Sequence, residues 1–253
     1  MPSPIDVTRL GEIYSRTAAF YDGVVADRQA GPKLEALRRL NRQRGERVLE
    51  VGVGTAWAFA RLVAESGPED AYALDVAAGM LEVARQRLTE VDLPAPSREG
   101  VRVRRESIPP PAHRETHALA LLLADARNLP FQDATFDCLL NTYTFEVLAR
   151  PDIPPVLDDC LRVLKHGGRI AIVNFTDGEG ADAAMTEDWK RRYQDDPEYF
   201  GGARPLMLQP MLEARGYVSV TRTYIGPEWP SEVLLAYRPS SGAHYPPSFE
   251  NLA

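Results

Sequence analysis

Three carboxylates and two glycines are spaced so that they could do chemistry together. In Val48-Leu-Glu-Val-Gly-Val-Gly-Thr-Ala56, an apolar run carries Glu50 and turns through Gly52 and Gly54 into an amphipathic stretch. Glycine lets a backbone approach a ligand closely and reach torsions closed to other residues. The start of the following helix offers unpaired N–H groups that suit a carboxylate or phosphate. Asp75 follows a second apolar run, 23 positions after Gly52. At that spacing an acid can accept hydrogen bonds from ribose hydroxyls. Asp125 follows a third apolar run. Acids ending three neighbouring strands are costly without a ligand to satisfy. Singly each reads as a helix cap or loop acid; together they point to a nucleoside.

The elements that must hold these residues alternate in type. Pro32 to Leu40 predicts a helix, with proline in its first turn, Leu34, Leu37 and Leu40 on one face, and Gly45 beyond its end. Strands are expected at 47–51, 71–74, 118–124, 136–140 and 169–173. Helices are expected from Ala56, over Gly79 to Val91, and over Ile153 to Leu164, the last closed by Lys165-His-Gly-Gly168. A helix from Leu206 to Arg215 then precedes strands at 217–225 and 233–238, joined closely enough for an antiparallel hairpin. Apolar strands alternating with helices imply parallel βαβ units. The expected fold is α/β and Rossmann-like. It has a seven-stranded, mainly parallel sheet, helices on both faces and a C-terminal antiparallel hairpin.

Three segments fall outside that pattern. Residues 1–30, with Tyr14, Phe20, Tyr21 and Asp22, are expected to form an N-terminal lid on a domain spanning 31–238. Residues 94–117, with five prolines and five arginines, read as an insertion. Residues 177–205 bring Trp189, Tyr193, Tyr199 and Phe200 as a second lid or acceptor segment, and residues 239–253 read as a flexible tail.

The type of nucleoside can be narrowed. A dinucleotide fingerprint needs a third glycine where this chain has Trp57, and no Gly-Lys-Ser/Thr follows the loop as in a phosphate-binding P-loop. A nucleoside without phosphates fits better, and S-adenosyl-L-methionine is the common one. Four segments, 50–56, 74–85, 124–131 and 161–170, also resemble the ordered motifs of class I S-adenosylmethionine-dependent methyltransferases. The likeness is greatest to the ubiquinone/menaquinone-biosynthesis branch and covers roughly residues 12–92 and 118–238.

That resemblance implies roles for particular residues. Gly52 and Gly54 would shape the loop around the methionine part, with Glu50 beneath reaching its amino group. Asp75 would hold the ribose hydroxyls. Val76 and Met80 would pack on the adenine, Asp125 would accept from its amino group, and the Ala126 N–H would face a ring nitrogen. Asn141 would face the amino acid end, and Tyr21 would close the site from above. Ala56 stands where many relatives have another glycine, and His166 where proline is common; His166 is read as meeting a helix C-terminus.

Methyl transfer needs alignment and exclusion of water, and a base only where the acceptor must lose a proton. No dedicated base is evident. Tyr143 and Glu146 are the catalytic candidates, with Asn174 another candidate for the acceptor pocket; His113, His117 and His244 read as surface residues. Cys138 reads as a core thiol. The favoured acceptor is a small apolar or aromatic molecule, such as a quinone precursor or secondary metabolite. An amine or phospholipid headgroup is the alternative, and a non-catalytic cofactor-binding partner subunit a third reading.

Composition agrees with a globular enzyme. The 253 residues are 44% hydrophobic and 26% charged, which excludes a disordered chain. A net charge of −7 argues against a broad nucleic-acid footprint. Seven residues, Ala118 to Ala124, form the longest apolar run, too short for a membrane span of roughly 20 residues. No secretory signal is visible, and two cysteines supply neither a disulfide framework nor a metal set. A cytoplasmic location is expected. Peripheral membrane contact and a homodimer stay open.

Overall fold

The computed structural model describes residues 5–91, 102–104 and 119–241. Its elements in chain order are α1 (Val7–Leu40), β1 (Val48–Val51), α2 (Trp57–Ser66), β2 (Ala71–Asp75), α3 (Ala78–Glu90), β3 (Arg102–Arg104) and β4 (Ala120–Leu123). There follow β5 (Phe136–Thr142), α4 (Ile153–Val163), β6 (Leu164–Phe175), α5 (Ala183–Asp195), α6 (Gln209–Ala214), β7 (Val218–Ile225) and β8 (Ser231–Tyr237).

The strands form one sheet in the order β3-β4-β2-β1-β5-β6-β8-β7. β3 through β6 pair in parallel, and β8 runs antiparallel to both β6 and β7. All seven expected strands are present. An eighth, the three-residue β3, adds at the edge beside β4 and comes from the insertion. The rest of 94–117 lies outside the described residues, as do His113, His117, His244 and the tail beyond 241. β1 sits between β2 and β5, where the order of chain progression reverses. Open α/β sheets bind ligands at the carboxyl ends of strands flanking such a point.

Apolar side chains cover both faces of the sheet. Leu49, Leu139 and Ile170 pack with Leu157 of α4 and Leu212 of α6. On the other face Val48, Leu140 and Val173 pack with Leu40 of α1, Phe59 and Val63 of α2, and Leu81 and Leu88 of α3. Cys138 is fully buried there, its thiol pushed up to about 12 by burial.

The N-terminal helix departs from expectation. It starts at Val7, where the Asp6 side chain accepts from the Arg9 N–H, and runs through Pro32 without a break. A mid-helix proline removes one hydrogen bond and costs about 3 kcal/mol. Burial of the surrounding stripe, Gln29, Pro32, Lys33, Ala36, Leu37 and Leu40, offsets that loss. Leu34, expected on the buried face, is 48% exposed because it lies one position off this stripe. Lys165–Gly168, expected as a turn, is extended and continuous with β6.

Candidate functional site

The loop leaving β1 is built from left-handed backbone. Gly52, Gly54 and Ala56 have φ of 73°, 53° and 58°. A Cβ on Gly52 would stand 2.1 Å from Thr144 Oγ1, so only glycine lets the loop pass beneath the β5 connection. Ala56 begins α2 in the left-handed region, which explains why glycine also suits that position. The Gly52 and Val53 N–H groups both donate to the Leu74 carbonyl at 2.9 Å, tying the loop to β2.

Asp75 organises the adjoining wall. Its Oδ2 accepts from the Gly54 N–H and its Oδ1 from the Ala77 N–H, both at 2.8 Å. Burial raises its pKa, and these backbone donors oppose the shift. A carboxylate offers about four acceptor positions, so acceptor capacity remains for a ligand hydroxyl. Asp125, at the end of β4, accepts from the Arg127 N–H at 2.9 Å and from its guanidinium at 2.9 and 2.7 Å. Arg127 therefore fixes Asp125, a partner the sequence reading did not identify.

Of the expected set, Tyr21, Gly52, Gly54, Asp75, Val76, Met80, Asp125 and Ala126 line one cavity at the carboxyl edge. Val76 is a large apolar side chain left 37% exposed within it, while Met80 is almost fully buried. Glu50 and Asn141 are not in this lining. They lie below the floor, where Asn141 Nδ2 donates to the Val51 carbonyl at 2.7 Å and Thr142 Oγ1 donates to Glu50 Oε1 at 3.1 Å. Thr142 and Thr144 reach the cavity instead. Glu50 Oε2 is buried without a hydrogen-bond partner, and burial pushes this carboxyl up to about 8.

Sequence reasoning also passed over Lys33. It lines the same cavity, is 7% exposed, and has its pKa lowered to about 8 by burial, against the pull of Glu50. Its signal was available: a lysine one turn before Leu37 and one after Gln29, on the buried stripe of α1.

A second cavity adjoins the first and shares Tyr14, Tyr21, Gln29, Tyr143 and Val147 with it. Phe20, Trp189, Tyr199, Phe200 and Trp229 add aromatic walls. Trp189 is positioned by its Nε1–H, which donates to the Ala203 carbonyl at 2.8 Å, and by edge contact with Phe175. Tyr193 does not reach this cavity, nor does Asn174, which is spent on the Leu206 carbonyl at 2.7 Å. Tyr143 lines both cavities with φ of 59°, but its hydroxyl is paired with Ser231 Oγ at 2.7 Å. Glu146 lines the second cavity, 2% exposed, with Oε2 unpartnered and its carboxyl pushed up to about 8 by burial.

α1 covers both cavities and is latched on two sides. Asp22 accepts from Thr55 Oγ1 at 2.8 Å and pairs with Arg87, which itself donates to the Thr55 carbonyl. Across the second cavity Arg9 pairs with Glu198 and Tyr14 donates to the Gly201 carbonyl. His166 is remote from all of this. It meets the Pro239 carbonyl at 3.1 Å rather than the helix end expected for it, because the chain there is already extended.

A family model described as a methyltransferase domain matches residues 49–172. A malonyl-acyl-carrier-protein O-methyltransferase of Methylococcus capsulatus is 29% identical over 182 residues, 72% of this chain and 56% of that protein. A demethylmenaquinone methyltransferase of Listeria monocytogenes is 32% identical over 141 residues, 55% of this chain and 49% of that protein. The chain thus spans about half the length of these curated relatives. Among solved structures, a phosphoethanolamine N-methyltransferase of Haemonchus contortus, in complex with S-adenosyl-L-methionine, aligns with a TM-score of 0.59. It is 15% identical, over 82% of this chain and 52% of that one, a likeness of fold.

Proposed function

We propose that this chain, whose residues 49–172 match a methyltransferase-domain model, is a class I S-adenosylmethionine-dependent methyltransferase that methylates a small acceptor with an apolar or aromatic body. S-adenosylmethionine is the cofactor of this domain. The residues of the first cavity fit it: a carboxylate with spare acceptor capacity at Asp75, a glycine-built loop, an exposed Val76 and a cation at Lys33. Asp75 would hold the ribose, Val76 and Met80 the adenine, and Asp125 with Ala126 its edge. Lys33 and the 52–55 backbone would meet the amino acid end, with Glu50 and Asn141 supporting the floor from below.

When bound, the cofactor supplies an electrophilic methyl group on a sulfonium. The protein's own residues then align the acceptor and keep water out, a contribution of roughly 7–11 kcal/mol in well-oriented systems. The observation that carries the acceptor reading is the aromatic cavity sharing five residues with the first. An aromatic enclosure favours an apolar acceptor body. α1 and the 177–205 segment act as lids over it.

Turnover to S-adenosylhomocysteine across matched phenols, quinols, amines and lipids tests this reading. Turnover confined to small aromatic-bodied acceptors supports it. Turnover only on lipid vesicles, with flotation of the protein on them, would replace it with a headgroup activity.

A further inference from the structure

We propose that the methyl-accepting atom is an amine nitrogen, held in the second cavity between Glu146 and Gln29. The proposal rests on the methyl-transfer reading and adds the acceptor's reacting group. Two buried oxygens there have no hydrogen-bond partner: Glu146 Oε2 and Gln29 Oε1. Their residues are 2% and 3% exposed, and both line the second cavity. Gln29 also lines the first, so it stands where the two cavities meet. A buried polar atom left unpaired is unfavourable, and each of these calls for a partner: Gln29 Oε1 for a donor, and Glu146 Oε2 for a donor whenever the residue is ionised.

The choice of donor follows from hydrogen count and charge. A hydroxyl brings one donor hydrogen; an amine or its ammonium brings two or three, enough for both oxygens. Aromatic faces at Tyr14, Tyr21, Trp189 and Trp229 attract a cation. An ammonium arriving beside Glu146 would hold that residue as its carboxylate, against the burial that raises its pKa. Arg28 and Arg192 line the same cavity and disfavour a cation beside them, so an amine is expected to settle at Glu146.

The proton balance is simple. Glu146, protonated in the ligand-free chain, releases that proton to solvent as the ammonium enters, and then takes one proton from the nitrogen, which frees its lone pair. That pair forms the N–C bond as the C–S bond breaks, and the bond electrons remain on sulfur. The methylated product leaves as an ammonium, and Glu146 is left protonated, as it is in the ligand-free chain.

The test is binding of phenethylamine against its isostere 2-phenylethanol, by calorimetry, with S-adenosylhomocysteine saturating. The amine is expected to bind about tenfold tighter or better. Glu146→Gln should erase that preference and Glu146→Asp restore part of it, while Gln29→Leu should weaken amine binding alone. Affinity for S-adenosylhomocysteine should hold in both Glu146 variants, which also reports that each is folded. Equal affinities, preference for the alcohol, absence of amine binding, or a preference that survives Glu146→Gln would overturn the proposal. A wild-type protein that fails to bind S-adenosylhomocysteine would overturn the cofactor reading itself, and the amine proposal with it.

Discussion

The Lys33 ammonium lies 5.4 Å from the centre of the Tyr143 ring, and 5.7 Å from that of Trp57. One residue of α1 therefore faces both the loop leaving β5 and the first residue of α2. A buried ammonium is unfavourable unless compensated, and aromatic faces compensate only in part. An incoming carboxylate would complete the compensation. Lys33→Met is expected to weaken S-adenosylmethionine binding by roughly 10- to 150-fold, the value of a hydrogen bond to a charged group. Calorimetry on the folded variant checks this; an unchanged dissociation constant would remove Lys33 from the amino acid end.

Gly52 and Gly54 should differ in their tolerance of alanine. A Cβ at Gly52 meets Thr144 Oγ1 at 2.1 Å and Cγ2 at 2.8 Å, whereas at Gly54 it meets nothing within 4 Å. Both carry the torsional cost of the left-handed region, about 1–2 kcal/mol. Gly52→Ala adds the clash and should lower the melting temperature further and abolish cofactor binding. Thr144→Ala in the same chain should recover part of the stability. Equal melting temperatures for the two single variants would contradict the packing described.

Stability should depend on pH in a defined direction. Burial raises Glu50 and Glu146 from 4.5 to about 8, so between those values the folded chain keeps protons that the unfolded chain has released. Stability then falls as pH rises through that window. Lys33, lowered from 10.5 to about 8, acts oppositely above it, because the folded chain releases its proton first. The melting temperature of the ligand-free protein is expected to decline from pH 5 to about 8, and Glu50→Gln to flatten the decline. A flat wild-type profile would show that these carboxyls are not proton-retaining.

Much of this architecture was legible in the residues. Ala120–Leu123 is a continuous apolar run and Val48–Val51 is interrupted only by Glu50, as a parallel sheet buried on both faces requires. The loop and acids were legible because Gly52, Asp75 and Asp125 each follow such a run. Lys33 was harder, since charged side chains are ordinarily solvated, and only the packing of α1 over the sheet edge reveals its burial; Glu146 was legible from its place after β5, though its burial was not. Pro32 misled because a proline at a first turn and one inside a tertiary-supported helix look alike locally. Asn141 was placed at the right strand end, but side chains alternate across a strand, and Thr142 takes the cavity side.

The covering helix should respond to ligand. Residues 13–22 carry Tyr14, Tyr21 and the Asp22 latch to Thr55 and Arg87. Their amides are expected to exchange more slowly once S-adenosylhomocysteine is bound, and Asp22→Ala to raise exchange in the ligand-free state. Deleting residues 1–22 should strongly reduce turnover. Equal exchange with and without ligand, together with full activity of the truncated chain, would reduce α1 to a structural staple.

A calorimetric titration of S-adenosylhomocysteine into the wild-type chain and into Asp75→Ala tests the cofactor site most directly. Asp75 is held by the Gly54 and Ala77 N–H groups with acceptor capacity to spare. Saturable binding to the wild type is predicted, weakened in the folded variant by roughly 10- to 150-fold as charged hydrogen bonds are lost. No binding to the wild type, or equal affinity in the two proteins, would contradict a cofactor seated between the β1 loop and the end of β2.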